Sequence, residues 1–344
     1  MMSSRVSRRT LGGIIGAAAL AAATAFAPLT AKAEGSYLLA TASTGGTYYP
    51  VGVALSTLVK VKLEPKHKIG MSAINSAGSG ENVKLLRENE AQFAIMQGLY
   101  GYFAWNGEGP VEADGPQEGL RSVSMLWQNV EQFIVRSEDA KTGTVADLAG
   151  VTGERMALGR KNSGTIGSNE VLLRNLGIDI NSDYELVHAG YGPSADALQN
   201  GQVVGMNTPA GVPTGAVTRA FAAMGDDITM LSFTPDQMKQ ADGGFGLWTE
   251  YVIAAGTYPG QDEDVITVAQ PNFLAVRADM SEEDVYMITK TIYENLPFLN
   301  AIHAATKAMD ISKAVAGLPM PLHPGAVRYY REVGLDIPAR LITN

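Results

Sequence analysis

The stretch YLLATASTGGTYYPVG, residues 37–52, decides how this chain folds. Tyr37–Thr41 is mostly apolar and predicts a β-strand, and the run STGGT at residues 43–47 has the small polar residues of a loop. From Tyr48 to about Val61, the apolar spacing predicts a helix. A strand, a glycine-rich loop and a helix in succession form the repeating unit of α/β folds.

The same unit recurs along the rest of the chain. The predicted strands are Tyr37–Thr41, His67–Ile74, Gln92–Gln97, Leu120–Trp127, Gln132–Arg136, Arg155–Leu158, Leu186–His188, Val203–Asn207 and Thr267–Val276. Helices are expected between most of them, and Ser281 followed by three acids predicts the start of another. Residues 235–246 are polar and glycine-rich and are interpreted as a loop.

This rhythm predicts an α/β fold with largely parallel strands. In such sheets, ligands lie beyond the carboxyl ends of the strands, where the polar loops are. The length suits two αβ lobes with a ligand cleft between them and the chain crossing from one to the other twice. We expect residues 34–130 and 251–344 to form lobe I and residues 131–250 to form lobe II.

Composition and the N-terminus narrow the class of protein. The chain has no cysteine, which excludes disulfides and thiol chemistry, and its formal charge of -9 argues against nucleic-acid binding. Three arginines precede an Ala/Gly-rich run, and Ala31-Lys32-Ala33 resembles a signal-peptidase site. We therefore expect residues 1–33 to be a signal peptide, cleaved before Glu34, and the mature protein to be periplasmic. Ser7-Arg8-Arg9-Thr10-Leu11 is typical of twin-arginine export, with an ordinary secretory signal as the alternative.

Motifs for catalysis do not emerge from the sequence. It has no Gly-x-Ser-x-Gly elbow, no Walker A loop and no dinucleotide fingerprint. The four histidines are scattered and give no metal-ligand spacing. The sequence thus predicts neither an enzyme nor a metal or cofactor site. An exported hydrolase on a similar fold is one alternative, and it would need a nucleophile and a base that converge in the fold.

Three loops instead favour a binding site. The runs TGGT at residues 44–47, GSG at 78–80 and NSGT at 162–165 each lie between a predicted strand and a predicted helix. Backbone N–H groups at a helix start, joined by hydroxyls, bind carboxylates and other anions. The alternative for any one loop is that its serine or threonine only caps the helix. Arg160 and Lys161 either add positive charge to the third loop or lie exposed in solvent.

At these loops the sequence resembles the TAXI-type extracytoplasmic solute receptors of tripartite ATP-independent periplasmic (TRAP) transporters. The resemblance runs from Tyr37 to the C-terminus. It is strongest at residues 44–52 and at LHPGAVRYYRE, residues 322–332, and it includes FAIMQ at 93–97 and YPGQD at 258–262. The motif around His323 is interpreted as packing or docking rather than ligand binding.

The resemblance implies a type II periplasmic-binding-protein fold that closes around one small solute, without catalysis. The solute would be a carboxylate such as glutamate, glutamine or 2-oxoglutarate, which the receptor delivers to TRAP membrane permease subunits for uptake driven by an ion gradient. Carried over residue by residue, the resemblance predicts ligand contacts at Thr44, Gly46, Thr47, Tyr48, Tyr49, Ser79, Gln97, Ser163, Gly164, Thr165, Thr208 and Gly211.

One departure and one alternative accompany this interpretation. After Gln97 the family often has small polar or acidic residues, whereas this chain has Gly98-Leu99-Tyr100, which favours a less polar group at that wall. A sensory protein that binds a solute and docks on a signalling membrane protein would have the same sequence features. We expect a monomer.

Overall fold

The computed structural model describes residues 35–343. The predicted signal peptide, residues 1–33, and its cleavage point lie outside the described residues. Between residues 35 and 343, no helix combines the length and the apolar character needed to cross a membrane.

Strands and helices alternate along most of the chain. The strands are β1 (Ser36–Ala40), β2 (Gly70–Ile74), β3 (Phe93–Gln97), β4 (Leu120–Val130), β5 (Phe133–Arg136), β6 (Arg155–Ala157), β7 (Glu185–Leu186), β8 (Gly205–Asn207), β9 (Ile228–Met230), β10 (Thr249–Ile253) and β11 (Val265–Arg277). The helices are α1 (Tyr48–His67), α2 (Ser79–Arg87), α3 (Gly98–Asn106), α4 (Gly164–Asn175), α5 (Ile180–Asp183), α6 (Tyr191–Gln199), α7 (Gly215–Met224), α8 (Pro235–Asp242), α9 (Glu282–Glu294), α10 (Leu296–Ile302) and α11 (Pro324–Glu332).

The strands form two sheets, each with helices packed against it. The first contains β1–β4, β10 and β11, and the second has the order β7-β6-β8-β5-β9. The chain leaves the first sheet through Glu131 and Gln132, between β4 and β5, and returns between β9 and β10. The fold is therefore the predicted α/β arrangement, with two lobes joined by two crossings.

Strand direction departs from the prediction of largely parallel sheets. β1 is parallel to β2 and β3, and β6 is parallel to β7 and β8. β11 instead runs antiparallel to β3, β4 and β10, and β5 runs antiparallel to β8 and β9. In the first sheet the reversed strand is β11, which follows β10 through a hairpin and lies between β3, β4 and β10. In the second sheet the reversed strand is β5, the first strand after the β4–β5 crossing.

A buried core supports each lobe. All five residues of β3 are buried, and Leu39, Ile95 and Phe273 are 0% exposed. A second cluster surrounds Ile134 and Met206 in the other lobe. Tyr258, in the hairpin between β10 and β11, joins this second cluster and stacks on Phe221 with ring centroids 5.9 Å apart. The hairpin therefore ties the returning chain to the second lobe.

Helix α8 corrects the interpretation of residues 235–246 as a loop. The Thr234 hydroxyl accepts a hydrogen bond from the Gln237 backbone N–H, and the Gln237 side chain bonds back to the Thr234 N–H. This is a capping box with Pro235 at the first helical position, a start signal that the sequence contains. Only the glycines that follow Asp242 form the predicted loop.

The motif around His323 packs inside the fold. His323 is 1% exposed and caps α11 by accepting the Gly325 N–H at Nδ1, so its Nε2–H faces the Met280 carbonyl, 3.2 Å away. Burial lowers the pKa of this imidazole. The motif therefore stabilises the seam between α9 and α11 instead of reaching the cleft.

Candidate functional site

A polar cavity lies where the loops of the two lobes face each other. The cavity volume open to a water-sized sphere is about 30 Å³, so the lobes leave a narrow polar space between them. The lining residues from the first lobe are Ala42, Ser43, Gly46, Thr47, Tyr48, Ala77, Gly78, Ser79, Gln97 and Asn129, and those from the second are Arg160, Ser163, Gly164, Thr165, Ala189, Gly190, Tyr191, Pro209 and Ala210.

Four helices begin at this cavity. Tyr48, Ser79, Gly164 and Tyr191 line it and are the first residues of α1, α2, α4 and α6. The first N–H groups of an α-helix have no partner within the helix, and its N-terminal end carries a partial positive charge. Two helix ends from each lobe therefore direct donors and positive potential toward the same space.

Two buried serines belong to these helix starts. Ser163 is the N-cap of α4, and its hydroxyl oxygen accepts the Ile166 N–H at 3.1 Å. The Ser79 hydroxyl oxygen accepts the Gln97 N–H at 3.1 Å. The two residues are only 4% and 2% exposed. Because each oxygen serves as an acceptor in these bonds, each hydroxyl keeps its proton for a further acceptor.

Hydrogen bonds hold the amides and phenols of the wall in place. The Asn129 side-chain amide donates to Gln97 Oε1 at 3.1 Å, and the Tyr48 hydroxyl donates to Asn272 Oδ1. In the other lobe, the Tyr191 hydroxyl donates to the Pro209 carbonyl at 2.6 Å. Burial raises the pKa of both phenols, so they stay neutral.

The lobes contact each other directly around the cavity. The bonds between them include Thr47 Oγ1 to Gly211 O (2.7 Å), Gln97 Nε2 to Gly164 O (2.8 Å), Tyr100 OH to Ser163 O (3.2 Å), Arg160 Nη1 to Ser76 O (3.2 Å) and Glu81 N to Asn162 O (2.9 Å). Most of the acceptors are backbone carbonyls of the opposite lobe. The structure is therefore a closed form, in which side chains and backbone groups of each lobe hydrogen-bond to the loops of the other.

Arg160 supplies the charge at the cavity. It is the one charged side chain among the described lining residues, and no Asp or Glu is among them. Arg160 is exposed at the mouth and bridges the lobes through Ser76, whereas Lys161 next to it does not line the cavity. Across residues 35–343, no group of three His, Asp or Glu side chains is placed to hold a metal ion.

Most of the predicted contact residues meet at the cavity. Those that line it are Gly46, Thr47, Tyr48, Ser79, Gln97, Ser163, Gly164 and Thr165. Those that do not line it are Thr44, Tyr49, Thr208 and Gly211. All three predicted loops thus contribute, and the four remaining residues lie elsewhere for separate reasons.

Each of those four positions has a structural explanation. Thr44 is exposed, and Tyr49 is half-buried one residue along α1 from Tyr48, which turns it away by about 100°. Thr208 is fully buried against the first crossing, where its carbonyl accepts the Gln132 amide at 3.0 Å. A Cβ on Gly211 would lie 2.6 Å from the Trp127 ring, which covers it.

Sequence reasoning missed several lining residues. Ser43 directly precedes the first predicted loop contact, and its hydroxyl accepts the Tyr191 N–H at 3.2 Å. Gly190 ends the loop after β7 and Tyr191 begins α6, in the same strand–loop–helix order as the three predicted loops, so that pattern was available in the sequence. Asn129, near the end of β4, has no comparable local signal.

A buried carboxyl lies at the first crossing between the lobes. Glu131 is 0% exposed, and its Oε2 accepts the Asn207 side-chain amide at 2.8 Å, while Oε1 has no hydrogen-bond partner among the described residues. Burial raises the pKa of Glu131 to about 7, and the hydrogen bond from Asn207 offsets part of that rise. This carboxyl therefore titrates near neutral pH.

Comparison with protein families gives a match across most of the chain. A model of the NMT1-like family matches residues 39–334, which include both sheets apart from the first three residues of β1, and every lining residue of the cavity.

Comparison with solved structures gives the same architecture at low identity. MatC from Rhodopseudomonas palustris, solved with bound malate, is 15% identical with a TM-score of 0.52, over 79% of this chain and 88% of MatC. PhnD1 from Prochlorococcus marinus, solved in complex with methylphosphonate, is 11% identical with a TM-score of 0.50, over 79% of this chain and 90% of PhnD1. At these identities the likeness concerns the fold alone. That fold is the two-lobed arrangement of periplasmic solute-binding proteins.

Proposed function

The chain belongs to the NMT1-like family, and we propose that it is an extracytoplasmic solute receptor that captures a small carboxylate between its lobes. One observation carries the proposal. Four helix N-termini, buried serines and one guanidinium surround a cavity on which two lobes have closed. Malate bound to MatC and methylphosphonate bound to PhnD1 are both small anions, which is in keeping with an anion here.

The proposed lobes are residues 34–130 with 251–344, and residues 131–250. The proposed contacts are the eight predicted residues that line the cavity, together with Ser43, Asn129, Arg160 and Tyr191. A solute held by both lobes stabilises the closed form relative to an open one, because only the closed form offers both sets of contacts. Binding of this kind requires no bond to be broken, so we propose a receptor rather than an enzyme.

A thermal-shift screen tests the receptor function. The purified protein is heated with amino acids, dicarboxylates, oxo acids and aromatic acids, and with sulfonates and phosphonates as further anions. A ligand that binds only the folded state raises the melting temperature. A rise with one class of carboxylate is expected. A rise confined to sulfonates or phosphonates would refute the carboxylate, and no rise with any compound would refute the receptor.

We further propose that the receptor acts from the periplasm, as a monomer that delivers its solute to a TRAP permease. This part rests on the sequence resemblance and on the receptor fold. Uptake of labelled solute by intact cells tests it, since a TRAP transporter uses an ion gradient rather than ATP. Collapse of the gradient should stop uptake, whereas uptake that follows ATP alone would contradict the TRAP assignment.

A further inference from the structure

We infer that the solute is an anion without an ammonium group, so that the site takes an oxo acid or hydroxy acid in preference to the amino acid of the same skeleton. The inference rests on the proposed receptor function and narrows the solute class that this function leaves open. It follows from the charges and the hydrogen-bonding groups of the cavity wall.

The side chains that line the cavity carry a net positive charge. Arg160 is the one charged side chain among the described lining residues, and none of those residues is an acid. Glu81 does not line the cavity, and its carboxylate turns back onto the backbone N–H of Ala77. Glu131 does not line it either, and it is bonded to Asn207. A solute ammonium would therefore find no carboxylate in the wall to pair with.

The side-chain amide oxygens and the Tyr191 phenol oxygen of the wall already have donors. Gln97 Oε1 accepts from Asn129, and Asn129 Oδ1 accepts from the Asn272 amide at 3.4 Å. The Tyr191 hydroxyl lies 2.8 Å from Thr165 Oγ1. Since the Tyr191 proton goes to the Pro209 carbonyl, the Thr165 hydroxyl is the donor to Tyr191. These oxygens are engaged with the protein itself.

Donors remain in the same wall. The oxygens of Ser43 and Ser163 accept backbone N–H groups, which leaves their hydroxyl protons for a further acceptor. The Ser79 hydroxyl oxygen likewise accepts the Gln97 N–H. Ser79 also faces the Tyr48 phenol and lowers its pKa, although burial raises that pKa by more. The cavity therefore presents hydroxyl protons, a guanidinium and helix N–H groups to its occupant.

The N-terminal ends of four helices favour an anion over a solute that carries an ammonium group, and they do so electrostatically. α1, α2, α4 and α6 all begin at the cavity, and each end carries roughly half a positive charge. Backbone carbonyls in the loops can accept an ammonium proton, but they do not offset this potential or the loss of water around the cation. We expect an amino acid to bind at least about tenfold more weakly than the oxo acid of the same skeleton.

Matched solute pairs test the inference on the unaltered protein. Titration calorimetry at neutral pH compares 2-oxoglutarate with L-glutamate, and pyruvate with L-alanine, because the members of each pair differ only at the oxo or ammonium position. Malate, methylphosphonate and ethanesulfonate are measured beside them to distinguish the acid group. The inference predicts that the ammonium-free member of a pair binds more tightly.

The outcomes separate the two proposals. L-glutamate or L-alanine binding as tightly as its oxo partner would overturn the inference and leave the receptor function standing. Preference for methylphosphonate or ethanesulfonate over all carboxylates would support an ammonium-free anion while refuting the carboxylate. No binding by any of these compounds would overturn both.

Discussion

Replacing Ser163 by alanine separates a role in solute binding from a role in folding. Ser163 caps α4 and lines the cavity, and Ser281 caps α9 with its hydroxyl 3.3 Å from the Asp284 N–H, outside the cavity. Ser281→Ala is therefore a matched control. Both variants lose a helix cap, which costs about 1 kcal/mol of unfolding free energy each.

The effect on solute affinity should differ between the two variants. A hydrogen bond from a buried hydroxyl to a charged group contributes about 1.5–3 kcal/mol, so Ser163→Ala should weaken solute binding by roughly 10- to 150-fold. Ser281→Ala should leave affinity unchanged, because the loss of a cap leaves nearly all molecules folded. Urea unfolding measures the stability of each variant, and titration calorimetry with the solute from the screen measures its affinity.

Equal solute affinities in the two variants would refute this reasoning. Such a result, with both proteins destabilised to a similar degree, would mean that Ser163 does no more than cap its helix. A loss of affinity in Ser163→Ala without any loss of stability would contradict the capping bond instead.

The remaining predictions concern charge, closure and pH. Arg160→Ala should weaken anion binding by about threefold to tenfold, because the guanidinium is exposed at the mouth, while Lys161→Ala should not change it in the same titration. Gly167→Ala should not destabilise α4, because alanine favours a helix, but it should weaken solute binding, because its Cβ would lie 2.4 Å from the Tyr100 hydroxyl of the other lobe and hinder closure. Small-angle scattering that shows undiminished closure on adding solute would contradict this. Glu131 has its pKa raised from 4.5 to about 7, so its contribution to stability is fully present below about pH 4.5 and is lost as pH rises through 7. Glu131→Gln should accordingly gain about 3 kcal/mol relative to the parent between about pH 5 and 8 in urea unfolding, and equal pH profiles would count against it. The pKa of His323 is lowered in the folded protein, so its contribution to stability is present above its ordinary pKa and is lost as pH falls through the folded value. His323→Asn keeps a capping side chain and should make stability fall less steeply with decreasing pH in the same urea measurements. A fall as steep as that of the parent would show that other groups cause it.

Local signals in the sequence were sufficient for the units of the fold. The strand, polar loop and helix around residues 37–61 follow from spacing and composition, and the cap at Ser281 follows from a serine before three acids. These features depend on residues a few positions apart, which is why they can be predicted without knowing the rest of the molecule. The capping box of α8 is equally local, and it was missed only because glycines and polar residues surround it.

The tertiary structure decided which side chains meet. Tyr48 and Tyr49 look alike in sequence, yet only Tyr48 lines the cavity, because neighbouring positions on a helix point about 100° apart. Tyr191 and Asn129 reach the cavity from different lobes, far from the predicted loops in the chain. The pairing of β11 with β3 and β4 also joins segments that are far apart in the chain.

The sequence by itself therefore determined the α/β units and three of the four loops that begin helices at the cavity. The closed arrangement, the placement of Thr208 and Gly211 beside the crossings, and the absence of an acid from the described wall came only from the structure. The physical reason is range. Backbone geometry and helix caps are set by neighbours in sequence, whereas the charge and the hydrogen-bonding character of a cavity are sums over residues that only folding brings together.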